Sequence, residues 1–213
     1  MKFVKDALAG LIDFFLPPVC SACGAGGKGP ICNACRSALV SLSEKHLKST
    51  ETIEVLAPFR YAGPAKNIVV DFKYHGIRGL AGEMARFMAE RIRDLDIRSL
   101  VPVPLHRARI RERGYSQTRL LAVCISGITG IPVVNCLRRR RYTTPQVELS
   151  GRERLSNLQN AFVFKGPMPL EPVAIIDDIT TTGTTLEEAG RVLPAKRKIG
   201  LVFAIAGEGE DSV

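Results

Sequence analysis

Residues 173–185, Val173-Ala174-Ile175-Ile176-Asp177-Asp178-Ile179-Thr180-Thr181-Thr182-Gly183-Thr184-Thr185, pass from four apolar residues through two carboxylates into a threonine-rich loop. Val173 to Ile176 predict a buried strand, because consecutive apolar and mostly β-branched residues suit a parallel strand covered on both faces. Asp177 and Asp178 then stand at its C-terminal end, where open α/β sheets place their ligands. Gly183 permits close backbone approach, the threonines offer hydroxyls, and Leu186-Glu187-Glu188-Ala189 opens a helix. Free N–H groups at a helix N-terminus attract anions, so the stretch predicts a phosphate site. The bland reading is a strand, a turn and a capped helix. Capping needs one Ser or Thr, whereas this loop has five threonines beside two carboxylates.

A P-loop requires G-x-x-x-x-G-K-[ST], and no such segment occurs, which weighs against a nucleoside-triphosphate site. The acidic pair points to sugar hydroxyls instead. The stretch resembles the 5-phosphoribosyl-1-pyrophosphate (PRPP) motif of type I phosphoribosyltransferases. That resemblance implies that Asp177 and Asp178 hold ribose hydroxyls and that the loop Thr180, Thr181, Thr182, Gly183, Thr184 and Thr185 wraps the 5′-phosphate.

With 213 residues, 46% of them hydrophobic, the chain suffices for one ordinary domain and a small module. No apolar run approaches the roughly 20 residues needed to span a bilayer. Residues 1–16 place Val4, Leu8, Leu11, Ile12 and Phe15 on one stripe, which predicts an amphipathic helix packed on the main domain, with membrane-surface attachment as the alternative. Asp6 and Asp13 interrupt the segment and no small-residue cleavage site follows, so a signal peptide is not expected. The net charge of +9 is concentrated: Arg98 to Arg154 holds twelve arginines, no lysine or aspartate, and the three glutamates Glu112, Glu148 and Glu153. Arginine's planar fork binds phosphate oxygens in pairs, so this bias points to polyphosphate or a nucleic-acid backbone; the alternative is a solvated basic face.

Cys20-x-x-Cys23 and Cys32-x-x-Cys35 form two knuckles separated by a glycine-rich spacer. Four thiolates suit a closed, structural zinc site, and the spacing predicts a small four-cysteine ribbon over 17–40. A disulfide pair or a redox motif is the competing reading, and the first requires an oxidising compartment. Cys124 and Cys136 lie in apolar surroundings and read as buried thiols.

After a polar linker over 41–51, the main domain is expected over 52–206. Strands are predicted at 52–61, 99–103, 131–137, 161–164 and 199–205, with a turn at Gly63-Pro64. Helices are predicted at 65–74, from Leu80 to near Asp94, 116–128 and 150–158, with a frayed tail from Gly207. An arginine loop from Leu105 to Tyr115 lies between strand and helix. The resemblance to type I phosphoribosyltransferases, in which a loop after an early strand binds pyrophosphate, implies Arg107, Arg111 and Arg113 as candidates for that group, and His106 is a hydrogen-bonding residue or a general acid–base. Arg138, Arg139, Arg140 and Arg141 cannot all face one ligand, so some are expected to meet an extended phosphate backbone, with Tyr142 available to stack on a base.

The zinc knuckles, Lys73-Tyr74, Val101-Pro102-Val103-Pro104, Arg113-Gly114-Tyr115-Ser116-Gln117, Thr144-Pro145-Gln146, Arg154 with Asn157, and the Asp-Asp-threonine loop occur in one order. In that combination the chain resembles the competence protein F family, phosphoribosyltransferase-like proteins of bacterial DNA uptake, from Cys20 to about Ile205. One position departs from the family pattern, Ser116 standing in place of asparagine. The resemblance implies an α/β fold: a type I phosphoribosyltransferase-like parallel sheet flanked by helices, with a small N-terminal four-cysteine zinc ribbon. It also implies PRPP accompanied by Mg²⁺, a structural Zn²⁺, a cytoplasmic location without membrane insertion, and a role with single-stranded DNA beside a competence helicase and recombination proteins. Two further readings stay open: an active phosphoribosyltransferase with an unidentified acceptor, and a regulator that senses PRPP without turnover.

Overall fold

The computed structural model describes residues 19–27, 29–140 and 161–207. In chain order the elements are α1 (Asn33–Leu42), β1 (His46–Ser49), β2 (Glu54–Ala57), β3 (Phe59–Arg60), α2 (Gly63–Tyr74), α3 (Leu80–Arg91), β4 (Ser99–Pro102), α4 (Arg107–Arg113), α5 (Gln117–Thr129), β5 (Leu137–Arg139), β6 (Phe162–Phe164), β7 (Val173–Ile176), β8 (Ile179–Thr180), α6 (Thr184–Val192), β9 (Lys198–Leu201) and β10 (Ala204–Ile205). The segments expected as helices over 1–16 and 150–158, and residues 208–213 of the expected tail, lie outside the described residues.

The main sheet has the order β1-β2-β9-β7-β4, parallel throughout except for the antiparallel pair β1–β2 at its edge. Fully buried β7 pairs with β9 on one side and β4 on the other, the central place that its unbroken apolar run predicts. Alternation along the strands divides the core in two. Ala174, Ile176, Leu100, Leu56 and Leu201 pack on the face covered by α2, α3 and α5; Val173, Ile175, Val101 and Val55 pack on the opposite face against α6 and the β5–β6 hairpin. The result is a mixed α/β structure of three layers.

Some expected boundaries change. Residues 41–51 are not all linker: α1 runs to Leu42 and β1 joins the sheet at His46–Ser49, because a hairpin through Thr50–Ile53 pairs it with β2. Gly63-Pro64 opens α2 instead of forming a separate turn, since proline at the first helical positions lacks only an N–H that no helix bond would use. Part of the expected arginine loop is helical, as α4. The strand expected over 131–137 shrinks to Leu137–Arg139, with a single bridge from Val133 to Leu100 before it. Residues 52–61 and 199–205 each divide into two short strands, at Pro58 and at Val202-Phe203. The reason is shared: β2, β9 and β7 break at one level, and beyond it β3, β10 and β8 form a second parallel sheet in the matching order β3-β10-β8.

Candidate functional site

Asp177 and Asp178 occupy the break between β7 and β8. Their backbone stays tied to the sheet: Asp177 N–H donates to Leu201 O at 3.1 Å, and Phe203 N–H donates to Asp178 O at 2.9 Å. The side chains fold back on the chain, Asp177 Oδ1 accepting from Asp178 N at 2.9 Å and Asp178 Oδ1 from Ile179 N at 2.7 Å. Lys73 Nζ, from the last turn of α2, pairs with Asp178 Oδ1 at 3.1 Å, with both side chains largely buried. Burial, reinforced by the neighbouring Asp178 charge, pushes the Asp177 carboxyl up to about 7, against the pull of Lys73, the Asp178 N–H and Arg139.

The loop after β8 wraps the N-terminus of α6. Thr180 is buried, Thr181 half-buried and Thr182 exposed. Thr182 Oγ1 lies 2.7 Å from Thr184 Oγ1 and accepts from Thr184 N at 3.4 Å, while Thr185 continues the first helical turn. Gly183 has φ 88°, which the absence of a Cβ makes inexpensive, and its carbonyl accepts the first helical bond from Glu187 N. A Cβ at Gly183 would overlap Thr50 Cγ2 at the tip of the β1–β2 hairpin. That tip is held twice, since Glu51 also pairs with Arg191 of α6 at 3.2 Å. Thr50 therefore forms a wall of the loop that nothing in the sequence pattern announced.

Opposite the acidic pair, the end of α2 is joined to the α4–α5 junction. Tyr115 donates its hydroxyl proton to Phe72 O and packs edge-on against the Phe72 ring. The Arg78 guanidinium lies 4.8 Å from the Tyr115 ring centre and donates to Gly114 O at 3.2 Å; the Arg113 guanidinium lies 5.1 Å from the ring centre of half-exposed Tyr74. Of the arginines expected at the pyrophosphate, Arg113 thus stands beside the residue that follows Lys73, whereas Arg107 and Arg111 are exposed on α4. Arg109, not singled out by the sequence, is partly buried and pairs with Glu112 at 3.2 Å. His106 acts as the N-cap of α4, its Nδ1 accepting from Ala108 N at 3.2 Å. Ser116 caps α5 through Oγ, accepting from Arg119 N at 3.4 Å, so serine in place of asparagine preserves that start.

The arginine run is divided by strand alternation. Arg138 and Arg140 are exposed, whereas Arg139 turns inward and lies over the Phe162 ring with 5.5 Å to its centre. Burial holds the Arg139 guanidinium below its ordinary range; the Asp177 charge opposes this and Arg109 adds to it. Arg141 and Tyr142 lie outside the described residues.

At the other end of α2, the Sγ atoms of Cys20, Cys23, Cys32 and Cys35 all lie within 4.8 Å of one another and could hold a metal ion. Cys32 N–H donates to Cys20 Sγ at 3.3 Å, and Cys35 N–H to Cys32 Sγ at 3.4 Å as α1 begins. Backbone N–H groups, outweighing burial, bring the Cys20 thiol down to about 6; adjoining sulfurs push Cys35 up to about 12. One sulfur ready to ionise among crowded thiols is a donor set that a tetrahedral thiophilic cation fits. Cys124 is half-buried and Cys136 fully buried; burial raises both thiols, as expected of packing residues. No helix among the described residues is long and apolar enough to cross a membrane.

No protein-family model matches the chain. Among curated proteins it is 31% identical over 201 residues to "Competence protein F" of Haemophilus influenzae, an alignment covering 86% of each chain. It is 26% identical over 197 residues to "DNA utilization protein YhgH" of Escherichia coli K12, covering 82% of this chain and 83% of that one. A shorter match, 31% over 103 residues, links it to "Competence protein ComFC" of Bacillus subtilis, covering 48% of this chain and 41% of that one. Identity at this level across most of both chains, with a four-cysteine cluster and an acidic pair at a sheet break, makes this chain a member of the competence protein F family.

Proposed function

We propose that the protein binds PRPP at Asp177, Asp178 and residues 180–185, and handles single-stranded DNA in natural transformation, working in the cytoplasm beside a competence helicase and recombination proteins. The observation that carries the first part is the break of three central strands at one level. It places two carboxylates directly before a loop that ends, through left-handed Gly183, on the N-terminus of α6. Ribose hydroxyls need acceptors and a 5′-phosphate needs N–H donors, and the break supplies both side by side. Mg²⁺ enters with the pyrophosphate, whose charge it neutralises, and the carboxylate oxygens are hard donors compatible with such a cation. The second part rests on relatives named for competence and DNA utilization and on the exposed Arg107, Arg111, Arg138 and Arg140. The four cysteines take a structural Zn²⁺ with no open position for catalysis. In this reading the architecture corresponds to a type I phosphoribosyltransferase-like domain over 52–206 and a zinc ribbon over 17–40.

Calorimetry with PRPP and Mg²⁺ on the wild type and on Asp177→Asn/Asp178→Asn tests the site, with single-stranded DNA binding followed on both. Binding abolished in the variant and DNA affinity retained is the expected result; unchanged PRPP binding refutes the site.

A second reading, phosphoribosyl transfer, is favoured by one observation. Burial and the adjoining Asp178 charge push the Asp177 carboxyl up to about 7, toward the range in which a group can accept a proton at neutral pH. Release of pyrophosphate from PRPP in the presence of bases, amines or DNA supports transfer. PRPP that stays intact while altering DNA affinity identifies a sensor.

A further inference from the structure

Where the end of α2 meets the α4–α5 junction, two guanidinium groups alternate with two tyrosine rings. Arg78 lies 4.8 Å from the Tyr115 ring centre and Arg113 lies 5.1 Å from that of Tyr74. Neither arginine has a carboxylate partner among the described residues, unlike Arg36, Arg109 and Arg191, which pair with glutamates. The rings seat the two cations without neutralising them, so their charge stays available to an anion. The base of the arrangement is fixed. Tyr115 donates its hydroxyl proton to Phe72 O, packs edge-on at 5.7 Å between ring centres, and leaves Arg78 to donate to Gly114 O at 3.2 Å. A Cβ at Gly114 would come within 3.2 Å of Arg78 Nη2, so glycine there keeps the guanidinium in place. Tyr74, by contrast, is 48% exposed at the end of α2, directly after the lysine that pairs with Asp178 at 3.1 Å. His75, Gly76 and Arg78, which follow it, are exposed as well.

An accessible aromatic ring among cations that no carboxylate neutralises suits one ligand chemistry. An unpaired nucleobase stacks on the ring while the phosphates on either side of it meet the guanidinium groups, which is how a single strand is held without regard to its sequence. A purely structural clamp would be served as well by a buried ring, whereas stacking requires an exposed one. We infer that Tyr74 is a nucleobase-stacking contact for a single strand, framed by Arg113 and Arg78, and that the strand passes beside the acidic pair and not only along Arg138 and Arg140. The inference rests on the reading of the protein as a binder of single-stranded DNA, and adds to it the residue that takes a base.

The experiment measures binding of oligothymidylate of about 12 nucleotides, and of an abasic strand of the same length, to the full-length wild type, Tyr74→Ala and Tyr74→Phe, with thermal melts to show that each is folded. The abasic strand keeps its phosphates and so isolates the electrostatic part of binding. Tyr74→Ala is expected to lose about 10-fold or more in affinity for oligothymidylate and little for the abasic strand, with the salt dependence unchanged, while Tyr74→Phe, which keeps the ring, holds the wild-type affinity. The chain contains no tryptophan, so Tyr74→Trp supplies a single reporter whose fluorescence a stacked base quenches. Oligothymidylate should quench it and the abasic strand should not; Leu95→Trp, at an exposed position ahead of the N-terminal end of β4, should be quenched by neither. Unchanged affinity in Tyr74→Ala, a loss equal for both strands, or equal quenching in the two tryptophan variants overturns the inference alone. Thymidine 5′-monophosphate that quenches Tyr74→Trp as strongly as the strand, at equal base concentration, overturns the strand in favour of a free nucleotide. A wild type that binds neither strand at low salt refutes the DNA reading and the inference together.

Discussion

Asp177 holds its proton far more tightly in the folded chain than a carboxyl in water, where the ordinary value is 3.8. Between that value and about 7 the native state binds more protons than the unfolded state, so this group makes the protein less stable as pH rises through that window. Asparagine keeps an oxygen that can accept from Asp178 N–H and has no charge to bury. Asp177→Asn should therefore gain on the wild type in melting temperature at pH 8 and show little gain at pH 4, as thermal melts at the two pH values will test. Gly183 sets a second single-residue requirement. Alanine there meets both the penalty of φ 88° and Thr50 Cγ2, for a loss of about 1–3 kcal/mol that denaturant titration would measure. Neither property can be read from the motif: five threonines and a glycine advertise an anion loop, while the wall formed by Thr50 comes from a residue more than a hundred positions earlier.

At the scale of elements, α2 connects the two candidate sites. Its start meets the cysteine knuckle, where Asn67 Nδ2 donates to Ala22 O at 3.1 Å, and its end supplies Lys73 to Asp178. Lys73→Met strands a buried carboxylate and should cost about 3 kcal/mol, of which Lys73→Met/Asp178→Asn should recover a large part, because the double change leaves no unpaired charge. Equal stabilities for the single and double variants would show that the pair contributes packing only. The knuckle is also fixed from α1, where Arg36 forms a two-pronged bridge to Glu83 of α3 at 2.9 and 3.1 Å. Stripping metal from the full-length protein should open residues 20–35 to proteolysis first, since four thiols crowded within 4.8 Å repel once they ionise without a cation. Elemental analysis of the purified protein is expected to give one zinc per chain.

Across the whole molecule the cysteine module is not a separate bead. Cys20, Ala22, Ile31 and Leu39 belong to the same buried cluster as Ile68, Phe72, Met84 and Met88, so the module and one face of the sheet share a core. The basic surface, by contrast, is divided. Arg107, Arg111, Arg119, Arg138 and Arg140 are exposed to solvent, while Arg109, Arg113 and Arg139 turn toward carboxylate or aromatic partners. Affinity for single-stranded DNA should fall steeply with salt, and Arg138→Gln/Arg140→Gln should reduce the logarithmic slope by about 1.4 if both contact phosphate. A flat salt response in the wild type would remove the nucleic-acid reading altogether.

Local chemistry was legible where one short stretch contains all its causes. The apolar run of β7, the carboxylates that follow it, the helix after Gly183 and the paired cysteine knuckles depend on residues close together in sequence. The common break in β2, β9 and β7 was not legible, because it depends on hydrogen bonds between strands distant in sequence, and it turned two expected strands into four. Nor was the sorting of the arginines, since their sequence records only charge, whereas β5 alternation and the packing of β5–β6 decide which one turns inward over Phe162. The order of residues is enough to name candidate groups for an anion, a sugar or a metal. Which of those groups share an enclosed space is settled only when the chain folds, because burial and cross-strand pairing are long-range properties.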